Sequence, residues 1–144
     1  MRVDRVLLTK GNDIVSVNGY ASLRQAVAVL RKHRIGAVLV LGLNGSIDGI
    51  LSERDIIGAL AERGGDALDE TVGEFMTRDV VRCGPNDTID ELMTVMTDRR
   101  IRHLPVVDDG QVVGVISIGD VVKHRLAEVT DEANALHDYI TLGR

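Results

Sequence analysis

Residues 49–55 read Gly-Ile-Leu-Ser-Glu-Arg-Asp, and residues 114–120 read Gly-Val-Ile-Ser-Ile-Gly-Asp. Both stretches have a glycine, two aliphatic residues, a serine and, three residues after the serine, an aspartate. Similarity within one chain at a long spacing is the signature of a duplicated structural unit. The sequence therefore predicts two copies of one unit, each carrying this Gly-to-Asp motif.

The sequence ahead of each motif is repeated as well. Residues 22–30 and 88–96 each begin with a hydroxyl side chain suited to a helix N-cap and place apolar residues at helical spacing. Residues 35–41 and 101–107 are apolar runs, and a turn rich in Gly, Asn and Asp separates each run from its motif, which predicts a β-hairpin. Each copy is thus expected to be helix, strand, strand, helix.

The predicted fold class is α/β (α+β), with a small sheet and flanking helices in each repeat. Residues 1–66, with a lead-in strand at 13–17, form the first repeat, residues 67–126 form the second, and residues 127–144 form a C-terminal helix. A second extended lead-in is expected at 79–83. Repeats of about 60 residues bury little surface alone, so we expect them to pack around a pseudo-twofold axis with any ligand site in the cleft between them.

Apolar spacing in the helices that follow the motifs predicts their packing. Buried positions are expected at Ile56, Ile57 and Leu60 in the first, and at Val121, Val122 and Leu126 in the second. A longer stripe with steps of four and three continues along the C-terminal helix, which is typical of a coiled-coil seam and predicts a homodimer. Its members are Val122, Leu126, Val129, Ala133, Leu136 and Ile140. The alternative is that this stripe docks on its own domain.

Composition excludes several classes of protein. The chain of 144 residues has 17 Lys and Arg against 22 Asp and Glu, a net charge of −5 that argues against a nucleic-acid binder. Its apolar runs are too short to cross a bilayer and its N-terminus does not resemble a secretory signal, so a cytoplasmic protein without a membrane partner is expected. The single cysteine, Cys83, is expected to be a small buried or half-buried apolar residue and not a reactive thiol.

The Ser and Asp of the repeated motif allow two interpretations. A serine followed three residues later by an acid forms a capping box, in which each side chain bonds the other residue's backbone N–H. The same place at a helix N-terminus offers N–H donors and a positive dipole to a phosphate, and an ionised aspartate can accept bonds from a vicinal diol. Spacing alone does not decide between a cap and a ligand site.

The chain from about residue 10 to 123 resembles a tandem pair of CBS domains, named for cystathionine beta-synthase, of the stand-alone bacterial type. The resemblance lies in the two Gly-to-Asp motifs and in residues 102–107, Arg-His-Leu-Pro-Val-Val. It implies that the cleft between the repeats binds AMP, ADP, ATP or NAD, or S-adenosylmethionine as in some members of the family. Asp55 and Asp120 would then hold ribose hydroxyls, with Ser52 and Ser117 beside ribose and phosphate.

The resemblance also implies cations for the phosphates. Arg102 and His103 are expected to serve the nucleotide held by Asp55 of the opposite repeat, where the first copy has only Gly36 and Ala37, so the Asp55 site is expected to be the better phosphate site. Arg54, where the second copy has Gly119, is the candidate cation for the Asp120 site. Candidates for apolar walls around adenine are Val15, Ile35, Val81, Ile101 and Pro105.

The sequence allows two interpretations for each of two candidate residues. Lys10, next to Gly11, either approaches the phosphates or only lies at a turn of the chain. His103 is either a ligand group or a core histidine with its hydrogen bonds satisfied.

No set of residues in the sequence is typical of catalysis. There is no phosphate loop, no dinucleotide fingerprint, no metal-ligand spacing and no nucleophile with an assigned base. We therefore expect a non-catalytic regulatory module that requires no cofactor, senses an adenine nucleotide as an energy signal and acts in trans on an effector protein through dimer geometry. The alternatives are a ligand-independent interaction scaffold and, less favoured, a nucleic-acid binder.

Overall fold

The computed structural model describes residues 1–142, so the last two residues of the predicted C-terminal helix, 143–144, lie outside it. Helices and small sheets alternate, which confirms the predicted fold class. In chain order the elements are α1 Val3–Lys10, β1 Ser16–Val17, α2 Leu23–His33, β2 Ala37–Leu41, β3 Ile47–Ser52, α3 Glu53–Arg63, α4 Val72–Phe75, α5 Ile89–Arg99, β4 His103–Asp108, β5 Gln111–Ser117 and α6 Ile118–Leu142. Short 3₁₀ turns occupy Leu43–Gly45 and Gly64–Asp69.

The chain forms two compact units that do not coincide with the two halves of the sequence. Unit 1 contains residues 1–12, residues 82–108 and the chain from Val113 onward, whereas unit 2 contains residues 13–81 and 109–112. The first twelve residues therefore belong with the second set of repeat elements. The repeat boundaries at residues 66 and 126 describe the internal similarity of the sequence and stay a prediction.

Unit 2 is built on a three-stranded sheet in the order β1-β2-β3. The lead-in strand β1 pairs in parallel with β2, and β2 pairs in antiparallel with β3 with Ala37 opposite Ser52. Helix α2 begins at a capping box made by Ser22 and Gln25 and buries Leu23, Ala26 and Leu30 against the core. Because β3 runs straight into α3, the end of the hairpin and the start of the helix are fixed together.

Unit 1 repeats this plan with a two-stranded sheet of β4 and β5, apart from residues 109–112 at the turn, which are grouped with unit 2. The turn between them has positive φ at both Asp109 (51°) and Gly110 (76°), which is the geometry of a two-residue hairpin. The predicted second lead-in strand is reduced to one parallel bridge between Cys83 and Val106. Cys83 is buried, as the sequence predicted.

Helices α2 and α5 end in the same way, with an arginine in the left-handed region. Arg34 and Arg100 both have φ of 54°, a conformation that usually favours glycine. The next residue in each case, Ile35 or Ile101, donates its N–H to a carbonyl five residues earlier, which is a Schellman motif. These ends turn the chain sharply from each helix into the following strand.

The segments that begin α1 and α4 make equivalent backbone hydrogen bonds. Residues 70–73 lie against 19–23 in unit 2 just as residues 1–4 lie against 85–89 in unit 1. In unit 2 the N–H groups of Leu23, Val72 and Gly73 donate to the carbonyls of Glu70, Ala21 and Gly19, respectively. In unit 1 the N–H groups of Ile89, Val3 and Asp4 donate to the carbonyls of Met1, Asp87 and Pro85, respectively. The short helix α4 thus packs within unit 2, although it follows the last element of the first repeat.

The burial expected for the helices after the motifs is partly wrong. Ile56 and Val121 are buried, but Ile57 and Leu60 are exposed, as are Val122 and Leu126. Only one narrow face of each helix is buried: in α3 it holds Ile56 and Ala59, and in α6 it holds Val121. Ile57 and Val122 come directly after a buried residue and so lie about 100° further round the helix. The stripe on α6 therefore stays open to solvent within the described chain.

Candidate functional site

The acidic cap of unit 2 forms where β3 meets α3. Ser52 donates its backbone N–H to Asp55 Oδ2 at 2.9 Å, and Asp55 donates its N–H to Ser52 Oγ at 3.3 Å. The Ser52 hydroxyl also donates to Asp55 Oδ2 at 3.1 Å. The capping interpretation of this pair is therefore realised in full. Gly36 contributes its carbonyl, which accepts the first N–H of α3, from Glu53, at 3.0 Å.

Thr77 reaches the same carboxylate from the connector that follows α4. Its hydroxyl donates to Asp55 Oδ1 at 3.2 Å. The position of Thr77 is fixed because it exchanges two backbone hydrogen bonds with Ile50 of β3, at 2.8 and 2.9 Å. The sequence analysis missed Thr77, because nothing in the local pattern shows that this connector returns to pair with β3.

The acidic cap of unit 1 repeats the pattern where β5 meets α6. Ser117 donates its N–H and its hydroxyl to Asp120 Oδ2, at 2.8 and 2.9 Å, and Asp120 returns its N–H to Ser117 Oγ at 3.2 Å. Arg102 takes the backbone role that Gly36 has in unit 2, because its carbonyl accepts the N–H of Ile118 at 2.7 Å. The two caps therefore share one backbone design.

Lys10 distinguishes the unit 1 cap. Its ammonium donates to Asp120 Oδ2 at 2.5 Å and to the carbonyl of Val115 at 2.6 Å. Burial alone would raise the pKa of Asp120, but the hydrogen bonds from Lys10 and Ser117 outweigh it and hold this pKa below its usual value. Lys10 also ends α1 just before Gly11, which has a positive φ of 93°, so whether Lys10 approaches phosphates stays a prediction.

Gly114 explains why Lys10 arrives at this carboxylate. A Cβ on Gly114 would lie 2.6 Å from Cδ2 of Leu7, so α1 packs directly on β5 at the place where the motif has no side chain. In unit 2, a Cβ on Gly49 would lie 2.7 Å from Sδ of Met76. Because each motif glycine has no side chain, another segment can pack directly against it. In unit 1 this segment is α1, which brings Lys10 to the cap. In unit 2 it is the connector after α4, which brings Thr77 to the cap.

The remaining predicted site residues fall into the two units separately. Arg54 lies in the first turn of α3 and is exposed, in the same unit as Asp55. His103 begins β4 and Pro105 is buried within it, where its carbonyl accepts the N–H of Cys83 at 3.0 Å. The predicted pairings of Arg102 with a phosphate at Asp55, and of Arg54 with one at Asp120, stay predictions.

Unit 2 also contains an open cavity that the sequence analysis did not anticipate. Its volume is about 980 Å³, and it lies at the turn end of the β2–β3 hairpin, opposite the end that carries Asp55. Its walls include Tyr20, Leu43, Asp48, Glu74, Met76 and Arg78. None of the predicted site residues lines it, so the caps remain the candidate site.

Within residues 1–142, no group of three or more His, Cys, Asp or Glu side chains could hold a metal ion. No helix in the same range has the length and apolar content needed to span a membrane. What the caps offer is two part-buried carboxylates at helix N-termini, which can accept hydrogen bonds from hydroxyl groups of a ligand.

Comparison with known proteins assigns the two repeats. The model of the CBS domain matches residues 5–62 and 72–127. The mitochondrial CBS domain-containing protein CBSX3 of Arabidopsis thaliana is 34% identical over 122 residues, which cover 82% of this chain and 59% of CBSX3. The chain therefore spans about three fifths of that relative.

Solved structures agree with this assignment. The CBS-domain protein ATU1752 of Agrobacterium tumefaciens is 45% identical, with a TM-score of 0.84 over 86% of this chain and 92% of that one. The CBS domain pair of MJ0100, in complex with 5′-methylthioadenosine and S-adenosylmethionine, is 26% identical, with a TM-score of 0.79 over 89% and 98%. PAE2072 of Pyrobaculum aerophilum, complexed with AMP, is 28% identical, with a TM-score of 0.74 over 83% and 89%.

The matched regions are CBS domains, and neither is a catalytic domain. Two of these similar proteins, MJ0100 and PAE2072, have adenosine-containing ligands bound in their solved structures. Because both repeats match and the similarity covers most of the sequence, this chain belongs to the CBS-domain family and carries a pair of CBS domains.

Proposed function

We propose that this chain is a non-catalytic regulatory module that binds an adenine nucleotide (AMP, ADP, ATP or NAD) through its acidic caps. The observation that carries the proposal is the presence of the same cap in both repeats, with a part-buried carboxylate held at a helix N-terminus. Asp55 and Asp120 would accept hydrogen bonds from ribose hydroxyls. Ser52 and Ser117 hold these carboxylates in place.

The magnitude of this interaction is sufficient for recognition. A hydrogen bond to a charged group contributes about 1.5–3 kcal/mol, so a diol on one carboxylate adds roughly tenfold or more in affinity per bond. The positive end of the helix dipole favours a phosphate nearby. The ligands of MJ0100 and PAE2072 share the adenosine group, which is the part that a ribose-binding carboxylate would recognise.

Isothermal titration calorimetry with AMP, ADP, ATP, NAD and S-adenosylmethionine tests this proposal. The double variant Asp55→Asn, Asp120→Asn keeps an amide oxygen for each cap but removes both charges. We expect it to bind at least tenfold more weakly than the wild type. Asp98→Asn, on the exposed surface of α5, is the matched control and should bind normally. Wild-type affinity in the double variant would contradict the proposal.

One observation favours a second candidate function. The serine and aspartate of each cap bond each other's backbone N–H groups without a ligand. A ligand-independent interaction scaffold would need nothing more from these residues. A wild-type protein whose melting temperature is unchanged by every adenine nucleotide at millimolar concentration would support the scaffold instead.

The signal would pass through a homodimer to an effector protein. Support comes from α6, where Leu126 is 62% exposed, Leu136 60% and Ile140 49%, so the stripe predicted as a seam has no cover within the described chain. Analytical ultracentrifugation should give a dimer for the wild type and a monomer for Leu136→Asp. Asn134→Asp places the same charge on a neighbouring exposed position and should stay dimeric. A monomeric wild type would exclude this route.

A further inference from the structure

The two acidic caps differ in the group that lies against the carboxylate. In unit 1 this group is the Lys10 ammonium, 2.5 Å from Asp120 Oδ2, whereas in unit 2 it is the Thr77 hydroxyl, 3.2 Å from Asp55 Oδ1. A carboxylate with an ammonium in contact carries no net charge as a pair. A hydroxyl brings no charge of its own to the carboxylate. The serine hydrogen bonds, by contrast, are nearly the same in both caps.

Lys10 is held at this position by the packing of α1. Leu7 fills the space above Gly114, and the N-terminal ammonium of Met1 pairs with Glu128 at 2.7 Å. At its far end α1 brings Lys10 to the carbonyl of Val115. A lysine tied by two hydrogen bonds and by its helix has little of the freedom of an ordinary surface lysine.

The ammonium keeps one donor for a ligand. A lysine has three N–H groups, and within the described chain two of them go to Val115 and Asp120. The Lys10 side chain is 35% exposed and Asp120 is 22% exposed, so solvent and ligands can reach both groups. One site thus combines an acceptor for hydroxyl groups with a fixed positive donor beside it.

We infer that Lys10 makes the Asp120 cap selective for an adenosine ligand that carries negative charge, such as a phosphorylated nucleoside, over the neutral nucleoside. This inference rests on the proposed function and names the ligand class of one of its two sites. Lys10 cancels the repulsion between Asp120 and a phosphate, and its third N–H donates to the ligand. The sequence predicted the Asp55 site as the better phosphate site, whereas Lys10 gives the Asp120 cap a cation within its own unit.

The expected preference follows from the strength of a charge-assisted hydrogen bond. Such a bond corresponds to roughly a ten- to hundredfold change in dissociation constant. With Asp55→Asn as background, the Asp120 cap is the remaining acidic cap. In that protein we expect 5′-AMP to bind at least tenfold more tightly than adenosine, by calorimetry in low-salt buffer.

Replacement of Lys10 then tests its role in this preference. In the same background, Lys10→Met should weaken the binding of 5′-AMP at least tenfold and change the affinity for adenosine less than threefold. Lys10→Arg should keep most of the preference for 5′-AMP because it keeps the charge. Lys32→Met, on the exposed end of α2, is the matched control and should change neither affinity. Circular dichroism of each variant checks that the fold is retained.

Several results would overturn the inference. One is equal affinity for adenosine and 5′-AMP in the Asp55→Asn protein that still has Lys10. Another is a Lys10→Met protein that binds both ligands more tightly, since Lys10 would then be a competitor for Asp120. A third is loss of all binding in Asp55→Asn alone. If the wild type itself binds no adenine ligand, the proposed function fails and the inference fails with it.

Discussion

Gly49 and Gly114 occupy the same position in the two motifs, but their substitution by alanine should have different costs. A Cβ on Gly49 would lie 2.7 Å from Met76 Sδ and 2.8 Å from the carbonyl oxygen of Thr77. The methionine side chain can turn away. The carbonyl cannot, because Thr77 is tied to Ile50 by two backbone hydrogen bonds. The three atoms nearest to a Cβ on Gly114 all belong to the side chain of Leu7.

The magnitude for Gly49→Ala follows from these contacts. The Thr77 carbonyl must move by roughly half an ångström, which weakens two hydrogen bonds worth about 0.5–1.5 kcal/mol each. Overpacking of a buried position usually costs about 1–3 kcal/mol. We therefore expect Gly49→Ala to lower the free energy of unfolding by about 2–4 kcal/mol. Gly114→Ala should lower it by about 1 kcal/mol, because Leu7 can change rotamer.

Urea unfolding followed by far-ultraviolet circular dichroism measures both changes. Gly58→Ala is the control, since a Cβ there meets no atom within 4 Å and the position lies inside α3. It should raise the free energy of unfolding by about 0.5–1 kcal/mol. A Gly49→Ala protein as stable as the wild type, or one more stable than Gly114→Ala, would refute this account of how the connectors pack.

Four other outcomes are expected. Folding lowers the pKa of Asp120, so its contribution to stability is fully present above the unfolded pKa of 3.8 and is lost as the pH falls through the lower folded pKa. In urea titrations at acid pH, the free energy of unfolding of Lys10→Met should therefore decrease less steeply with falling pH than that of the wild type. Ser52→Ala should cost about 0.5–2 kcal/mol in the same assay at pH 7, through loss of the cap. Burial raises the pKa of Cys83 to about 12, so its thiol should react with Ellman's reagent at pH 8 only when urea unfolds the protein. Arg34→Gly should raise the unfolding free energy by about 0.5–1 kcal/mol, because glycine has no penalty in the left-handed region.

The features that the sequence predicted correctly depend on neighbours along the chain. Ser52 and Asp55 are three residues apart, and the geometry of a helix N-terminus brings them together wherever the helix lies. The hairpin of β2 and β3 follows from two short apolar runs with one turn between them. Such local interactions are encoded in patterns that one sequence displays.

The features that the sequence did not predict depend on distant contacts. Thr77 reaches Asp55 only because its connector pairs with β3, and Lys10 reaches Asp120 across 110 residues of sequence. Ile57 and Leu60 are apolar at helical spacing and yet are exposed. A sequence pattern shows which helix faces are apolar, but it does not show which of two neighbouring apolar faces the rest of the unit covers.

The placement of α1 in unit 1 has a consequence for the order of folding. Most of unit 2 is one continuous segment, 13–81, whose sheet contacts are short in sequence. Unit 1 must join residues 1–12 to partners 84 and 110 residues away, such as Asn86 and Asp120. Contacts between distant parts of a chain form slowly, and during synthesis they must wait for the later residues. Unit 2 can therefore fold on the ribosome first, while α1, which is synthesised before the other described elements, packs into its place last.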